Sequence, residues 1–300
     1  MMTVHTPVMM QEVIEAFRNI PSSSVVVDCT FGGGGHANAL LMTYPDFMII
    51  GCDRSIEAVT GGQELVKQYN GRLQLYHRRM PYHVTQVLSI ETPMGFLVDC
   101  GISSDQLLEV RGLSFQDCDA PLDMRMGLNT SCYTTAAEFL NKAPLKELER
   151  VFYKYGQDGA SGKIAIKIAM KRKTHPLKKV RDLKQLIISD VPPYHHHKVL
   201  AKYFQSIRMF INDEMQDLED TLSILLEYME KYPNIVIVFI TFQSLEEKLI
   251  GQFIKQLRYR GKVQHYLSST TTEEINLNPR SRSGRFHVIT SFMPKNKTKS

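Results

Sequence analysis

The chain contains 300 residues, of which 43% are apolar and 22% charged, and its formal net charge is +5. These values are ordinary for a globular protein, and the length allows one large domain or one domain with an insertion. No apolar run is long enough to span a membrane and no secretory segment is evident, so we expect neither a membrane-embedded nor a secreted chain.

The five cysteines form no C-x-x-C pattern, so the sequence indicates neither a disulfide framework nor a zinc site. Three of them lie beside Asp28, Asp53 and Asp99 in apolar stretches. We interpret them as reduced, buried residues, and we expect a cytoplasmic protein without a metal.

Residues 24–36, SVVVDCTFGGGGH, carry the strongest local pattern. The run Val25–Val27 is typical of a strand buried on both faces of a parallel sheet. Four glycines then precede a predicted helix that begins near His36. A glycine loop between a strand and a helix is where α/β sheets bind nucleotide-like cofactors, and the alternative is a flexible turn.

Asp53 ends the next predicted strand, at a separation of 21 residues from Gly32. An acid about 20 residues beyond such a loop accepts hydrogen bonds from ribose hydroxyls. The alternative is an acid that caps the following helix.

The acids favour one class of cofactor. The glycine spacing also fits a dinucleotide fingerprint, but Asp28 would then face a pyrophosphate. A third acid, Asp99, ends a later strand. A crevice edged by Asp28, Asp53 and Asp99 suits S-adenosylmethionine, whose sulfonium and ammonium groups are cationic.

The other predicted strands span residues 73–76, 94–99, 235–242 and 286–292, and residues 270–284 are predicted to be a polar loop. Between Gly112 and Lys202 the strand signals disappear and helical periodicity takes over. We therefore expect an α/β fold with a helical insertion after the fourth strand. The expected boundaries are a first part over residues 1–108, the insertion over 109–204 and a second part over 205–300.

The insertion is rich in basic residues. Lys163, Lys167 and Lys171 are four residues apart and form one stripe on a helix, followed by Arg172. The density of the cluster favours a phosphate-binding surface, and the alternative is a solvated helix face. The adjacent histidines 195–197 cannot all converge on one metal ion, so we predict a solvated or phosphate-contacting loop there.

Together these residues and an ordered series of motifs resemble the bacterial-type small-subunit (16S) ribosomal RNA cytosine-N4 methyltransferases, over nearly the whole chain. The motifs that carry the resemblance are HTPV at 5–8, DCTFGGGGH at 28–36, Asp53-Arg54, DCGISSDQL at 99–107, RGLSF at 111–115, PLDMRM at 121–126, Tyr155-Gly156, FQSIR at 204–208, FQSLE at 242–246 and NPRSRS at 278–283.

The resemblance implies a class I (Rossmann-like) methyltransferase sheet, S-adenosylmethionine as cofactor, and small-subunit ribosomal RNA or the assembled subunit as partner. A homodimer is left open. The cofactor contacts implied position by position are Gly34, Gly35, His36, Asp53, Met80, Asp99 and Gln106. Where the family usually has Phe, this chain has Met80, which can still pack on an adenine face.

Three sites depart from the family pattern, at Gln157-Asp158, Lys198-Val199 and Gln243, and they affect the expected RNA-facing parts more than the cofactor site. Basic residues predicted to bind RNA are Lys163, Lys167, Lys171, Arg172, Arg208, Arg280, Arg282 and Arg285.

The implied reaction is methyl transfer to the exocyclic N4 amine of a cytidine. The predicted catalytic residues are Asp99, as acceptor of an N–H hydrogen bond, with Ser103 and Ser104 in support; a purely cofactor-orienting role for Asp99 is the alternative. Two rival interpretations are a methyltransferase acting on a small molecule or protein, and a non-catalytic RNA-binding assembly factor. The first predicts no salt-dependent RNA affinity, and the second predicts RNA binding without methyl transfer.

Overall fold

The protein is described here by a computed structural model, which covers residues 7–101, 110–127, 133–260 and 263–291. Its centre is a seven-stranded sheet in the order β3-β2-β1-β4-β5-β7-β6. The strands are β1 Val25–Asp28, β2 Met48–Asp53, β3 Leu73–His77, β4 Gly95–Asp99, β5 Val236–Thr241, β6 Val263–Ser269 and β7 Arg285–Ser291. The first five are parallel, whereas β7 runs antiparallel to both β5 and β6.

The central strands are apolar because both faces of the sheet are covered. All six residues of β5 are buried, as are Val26 and Val27 of β1. The strand order reverses between β1 and β4, and the crevice beside such a reversal is where α/β sheets bind ligands. This order confirms the predicted Rossmann-like methyltransferase sheet.

One helix precedes the first strand, and the others of this part lie between strands. They are α1 Met10–Ala16, α2 Gly35–Thr43, α3 Ile56–Gly61, α4 Gln63–Gln68, α5 Met80–Ile90, α11 Glu214–Lys231, α12 Ser244–Tyr259 and α13 Thr272–Leu277. Residues 55–69, whose pattern indicates a helix weakened by Gly61-Gly62, form two helices that are divided at Gly62, the N-cap of α4.

The helical insertion follows the fourth strand as predicted. Its helices are α6 Ala136–Lys142, α7 Leu145–Gly156, α8 Ser161–Lys171, α9 Val180–Ile188 and α10 His196–Ile211. Their cores are apolar, with Phe139, Val151 and Ile168 fully buried. Cα packing divides the chain into one compact unit of Met1–Ile102 with Gln216–Ser300, and a second of Ser103–Met215.

Two local predictions are wrong. Residues 270–284 are not a loop, because they contain α13 and the 3₁₀ turn Pro279–Ser283, and the strand β6 before them was missed. Since β6 is an edge strand and much of it is exposed, it lacks the apolar run that marks a buried strand. The histidines 195–197 are also not a loop: His195 ends a 3₁₀ turn and the other two begin α10.

Candidate active site

The glycine loop between β1 and α2 is docked on the end of β2. The amide of Phe31 donates to the Cys52 carbonyl at 2.9 Å, and the amide of Gly34 donates to the Phe31 carbonyl at 2.8 Å. Gly32 and Gly34 have φ angles of 54° and 75°, which L side chains rarely adopt. The hydrogen bonds dock the loop on β2, and its path requires residues that tolerate a positive φ at positions 32 and 34.

Packing also requires some of these glycines. A Cβ on Gly34 would lie 2.5 Å from the Phe31 ring, and one on Gly62 would lie 2.6 Å from the same ring. A Cβ on Gly35 would lie 2.3 Å from Pro7. Among the four loop glycines 32–35, only Gly33 is exposed and would give a Cβ no neighbour within 4 Å. The cofactor contacts assigned to Gly34 and Gly35 stay a prediction.

Asp53 fastens the loop at its middle. Its Oδ2 accepts from the Gly32 amide at 2.8 Å and its Oδ1 accepts from the Ser55 amide at 2.8 Å. The side chain is buried, and burial raises its pKa while the two amides and Arg54 oppose the rise. A carboxylate has about four acceptor positions, and the amides of Gly32, Ser55 and Arg54 occupy three, so Asp53 can still accept from a ligand hydroxyl without releasing the loop.

Asp28, at the end of β1, is almost fully buried. Its Oδ1 accepts from the Thr30 amide at 3.1 Å, but its buried Oδ2 has no hydrogen-bond partner among the described residues. Burial raises the pKa of Asp28 to about 7, and the charges of Asp99 and Asp53 add to the effect. A buried carboxyl oxygen without a hydrogen bond is unfavourable unless a ligand supplies the missing partner.

Thr30 joins the ends of β1 and β4. Its hydroxyl oxygen accepts from the Asp99 amide at 2.7 Å, while its own amide is bound to Asp28. The Asp99 carboxylate in turn accepts from the Gly101 amide at 2.9 Å and keeps 22% of its side-chain surface exposed. Asp28 and Asp99 are thus held on either side of the point where the strand order reverses.

His36 lies in the first turn of α2 and is buried. Its Nε2 is 2.9 Å from the carbonyl of Val8, which can only accept, so Nε2 carries the proton. Its Nδ1 faces Asp99 Oδ2 at 4.0 Å. The hydrogen bond of His36 therefore joins Val8, which precedes α1, to the carboxyl edge of the sheet. The imidazole also adds a polar group beside Asp99.

Met80 is the first residue of α5 and is half-buried. The preceding Arg79 makes a bidentate ion pair with Asp217 of α11, with Nε–Oδ2 3.1 Å and Nη2–Oδ1 2.5 Å. Arg54, the residue after Asp53, is 3.8 Å from the same carboxylate. One buried acid therefore fixes the segments that follow β2 and β3.

Three predicted site residues, Ser103, Ser104 and Gln106, lie outside the described residues. Their assignments stay predictions.

The predicted RNA-binding residues of the insertion differ in their surroundings. Lys163 and Lys171 are exposed on α8. Lys167 is half-buried and pairs with Asp190 at 2.6 Å, and Arg172 donates to the Leu140 carbonyl at 2.8 Å. The ammonium groups of Lys163 and Lys171 are therefore open to solvent, whereas Arg172 also stabilises the insertion through its hydrogen bond to Leu140.

The other predicted RNA-binding arginines are more varied. Arg208 is only 11% exposed and binds both Glu214 oxygens at 2.8 Å, which makes it a structural ion pair in this structure. Arg280 lies in the 3₁₀ turn Pro279–Ser283, and Arg282 and Arg285 are exposed. RNA binding by all four stays a prediction.

Sequence reasoning missed the supporting residues. Thr30 has no predicted role, although the sequence shows a polar residue two positions after Asp28. The Arg79–Asp217 pair had no sequence signal, because 138 residues separate its members.

The carboxyl edge of the sheet therefore presents three carboxylates, one of them incompletely bonded, together with the positive end of α2. The carboxylates fit a small molecule with cationic and hydroxyl groups, and the positive helix end fits an anionic group of the same molecule. Among the described residues, no group of three or more His, Cys, Asp or Glu side chains could hold a metal ion, and no helix could span a membrane.

The model of the MraW methylase family matches residues 2–292. The chain belongs to this family. A "Ribosomal RNA small subunit methyltransferase H" of Allorhizobium ampelinum is 33% identical, covering 95% of this chain and 86% of that relative. The Hydrogenobaculum protein of the same name is 36% identical, covering 94% of each chain. The structure of an rRNA methylase from Streptococcus thermophilus covers 95% of this chain and 94% of that chain, but at 8% identity and a TM-score of 0.43 it is too distant to bear on function.

Proposed function

We propose that this protein transfers a methyl group from S-adenosylmethionine to the exocyclic N4 amine of a cytidine in small-subunit ribosomal RNA. Family membership and the names of the relatives support the reaction class and the RNA. The structural observation that carries the cofactor assignment is the unpartnered Asp28 oxygen between Asp53 and Asp99.

The residues at this edge would hold the cofactor by complementary charge. S-adenosylmethionine supplies an electrophilic methyl group on a sulfonium when it is bound. Asp53 would accept from the ribose hydroxyls, since both its oxygens are already oriented by backbone amides. Met80 would pack on the adenine face, and Asp28 would balance the cationic end.

Asp99 has two roles open to it. As the N4 nitrogen forms its bond to the methyl carbon and the carbon–sulfur bond breaks, the amine must lose a proton. The Asp99 carboxylate is fixed by Gly101 and partly exposed, so it can accept a hydrogen bond from that N–H. The other role is to orient the cofactor, and Ser103 and Ser104 would support either one.

The RNA would be held by phosphate contacts that are separate from the chemistry. In the insertion, the exposed ammonium groups of Lys163 and Lys171 suit RNA phosphates, and in the unit that contains the sheet Arg282 and Arg285 suit them as well. Naked ribosomal RNA and the assembled small subunit are both candidates for the substrate.

The direct test is methyl transfer from labelled S-adenosylmethionine to small ribosomal subunits from a strain that lacks its own enzyme, followed by nucleoside digestion. Label in N4-methylcytidine is the expected result. Label in another nucleoside would overturn the assigned target. Intact cofactor binding with no label in RNA would favour a small-molecule or protein methyltransferase or an assembly factor. The family to which the resemblance points has Glu, His and His at positions 157, 198 and 243, so Gln157→Glu, Lys198→His and Gln243→His would then test the assembly-factor interpretation.

A further inference from the structure

The insertion contains a segment outside its helices, Pro121–Met126, with an alternating burial pattern. Leu122, Met124 and Met126 are buried. Asp123 and Arg125 point the other way, with 25% and 48% of their side-chain surfaces exposed. The segment is therefore anchored through three apolar side chains and displays one ion pair.

The backbone on both sides of Arg125 is held by one buried amide side chain. Asn212 is fully buried, and its Oδ1 accepts from the Met126 amide at 2.8 Å. Its Nδ2 donates to the Met124 carbonyl at 2.8 Å. Earlier in the segment, the Met124 amide donates to the Arg111 carbonyl at 2.9 Å. Arg125 thus projects from a backbone with little freedom to move.

Met124 itself has a φ of 63°, an unusual conformation for a residue with a long side chain. Such a backbone costs about 1 kcal/mol or more and persists where the surroundings over-determine it, often at ligand sites. The buried side chain and the Asn212 contacts supply that constraint here. Since the left-handed residue directly precedes Arg125, it helps set the direction in which Arg125 leaves the segment.

The guanidinium is also fixed. Its Nε donates to Asp123 Oδ1 at 2.6 Å and its Nη2 donates to Oδ2 at 2.8 Å. This side-on pair uses two of the five N–H donors and turns the Nη1 edge away from Asp123. The ion pair has almost no net charge, but the Arg125 guanidinium keeps N–H donors that point in a fixed direction. Such donors suit two adjacent acceptor atoms better than the spread negative charge of the RNA backbone.

We propose that Arg125, held by Asp123, is a substrate-positioning residue that donates to the acceptor edge of an unpaired nucleobase in the RNA substrate. This inference rests on the proposed function. Unpaired bases in RNA are recognised through their hydrogen-bonding edges, and guanine offers the adjacent O6 and N7 acceptors that an arginine fork matches. The charge-neutral pair distinguishes Arg125 from the exposed lysines of α8, which suit phosphates.

The insertion provides a matched control. Arg181 of α9 is 46% exposed and is also paired with an acid, Asp119. Lys179 shares that acid, at 3.1 Å. Arg181→Ala therefore removes an equally exposed, acid-paired guanidinium from a regular helix.

The experiment compares Arg125→Ala, Arg125→Lys and Arg181→Ala with the wild-type chain. The measurements are kcat and KM for methylation of small subunits, the Kd for a single-stranded ribosomal RNA fragment over a range of KCl concentrations, and the Kd for S-adenosylmethionine. Melting temperatures check that each variant is folded.

We expect both Arg125 variants to raise KM and the RNA Kd by roughly 5- to 150-fold, the loss expected for a bidentate base contact. The Kd for S-adenosylmethionine and the salt dependence should stay at the wild-type values, as should all values for Arg181→Ala. Lysine should not rescue, because it has charge without the fork.

Two results would overturn the inference while leaving the proposed function intact. One is wild-type kinetics in Arg125→Ala. The other is full rescue by Arg125→Lys together with a smaller salt dependence in Arg125→Ala, which would make Arg125 a phosphate contact. Conversely, a wild-type chain that binds RNA through Arg125 but transfers no methyl group would overturn only the proposed function.

Discussion

Two of the three carboxylates at the edge of the sheet are buried, whereas the lysines of α8 extend from an exposed helix face or pair with a solvent-exposed acid. Asp28 and Asp53 are each less than a tenth exposed, and backbone amides fix both of them. Lys167, by contrast, pairs with an Asp190 side chain that is 76% exposed. The ionisation of a buried group depends on its hydrogen-bond partners and on pH, whereas the interactions of an exposed charge are weakened by salt. The two regions should therefore respond to different perturbations.

The largest expected difference lies between a buried and an exposed ion pair. Asp217→Ala leaves the buried Arg79 guanidinium without its carboxylate, so the free energy of unfolding should fall by about 3–5 kcal/mol. Asp190→Ala removes the exposed partner of Lys167 and should leave the urea midpoint unchanged. Equal urea midpoints for the two variants would contradict the distinction.

The next effect concerns cofactor affinity. Asp53→Ala removes the acceptor of the Gly32 and Ser55 amides along with the predicted ribose contact. Losing charge-assisted hydrogen bonds worth about 2–3 kcal/mol should weaken S-adenosylmethionine binding by roughly 30- to 150-fold in calorimetry. Asp46→Ala changes an exposed acid of the same compact unit and is the control. Unchanged affinity in Asp53→Ala would refute the cofactor site.

The pH dependence of binding is expected to be smaller. The pKa of Asp28 is raised to about 7, so near neutral pH much of this carboxyl is protonated. A cation binds the ionised form better, so the Kd for S-adenosylmethionine should fall about three- to ten-fold between pH 6 and pH 8, with proton release. Asp28→Asn should flatten this dependence, and an equally steep curve in the variant would assign it to another group.

Stability should change with pH in the opposite sense. The unfolded chain loses the Asp28 proton near pH 4, whereas the folded chain keeps it until about pH 7. The contribution of Asp28 to the free energy of unfolding therefore decreases as pH rises from about 4 to 7 and is level above that range. Asp28→Asn should reduce this decrease in thermal melts across the same window.

The smallest effect is expected from the exposed lysines. Replacing Lys163 and Lys171 with Gln should lower the slope of log affinity for single-stranded RNA against log salt by about 1.4, from roughly 0.7 for each phosphate contact. Lys142→Gln in α6, where the lysine is exposed and paired with Glu138, should leave the slope unchanged. A slope that is equally insensitive to all three lysines would favour the solvated-face interpretation.

Strand-end acids were predictable because the sequence shows both the apolar strand and the residue that ends it. Asp28 and Asp99 therefore fell on neighbouring strands as expected. Supports such as Arg79 with Asp217 were not predictable, since they join distant segments through tertiary packing. Strand β6 was missed for the opposite reason: its exposed residues carry no burial signal.

The ring of Phe31 is shared by glycines from three separate segments. Besides Gly34 and Gly62, a Cβ on Gly51 would approach it to 3.3 Å. A substitution at one of these glycines therefore depends on an earlier change at Phe31, which constrains the order of substitutions during evolution. At Gly62 the backbone is already in a right-handed helical conformation and the obstacles are steric, so a smaller residue at 31 and a shift of Leu75 would have to precede alanine there. At Gly34 no such sequence of changes suffices, because its positive φ would still exclude most side chains.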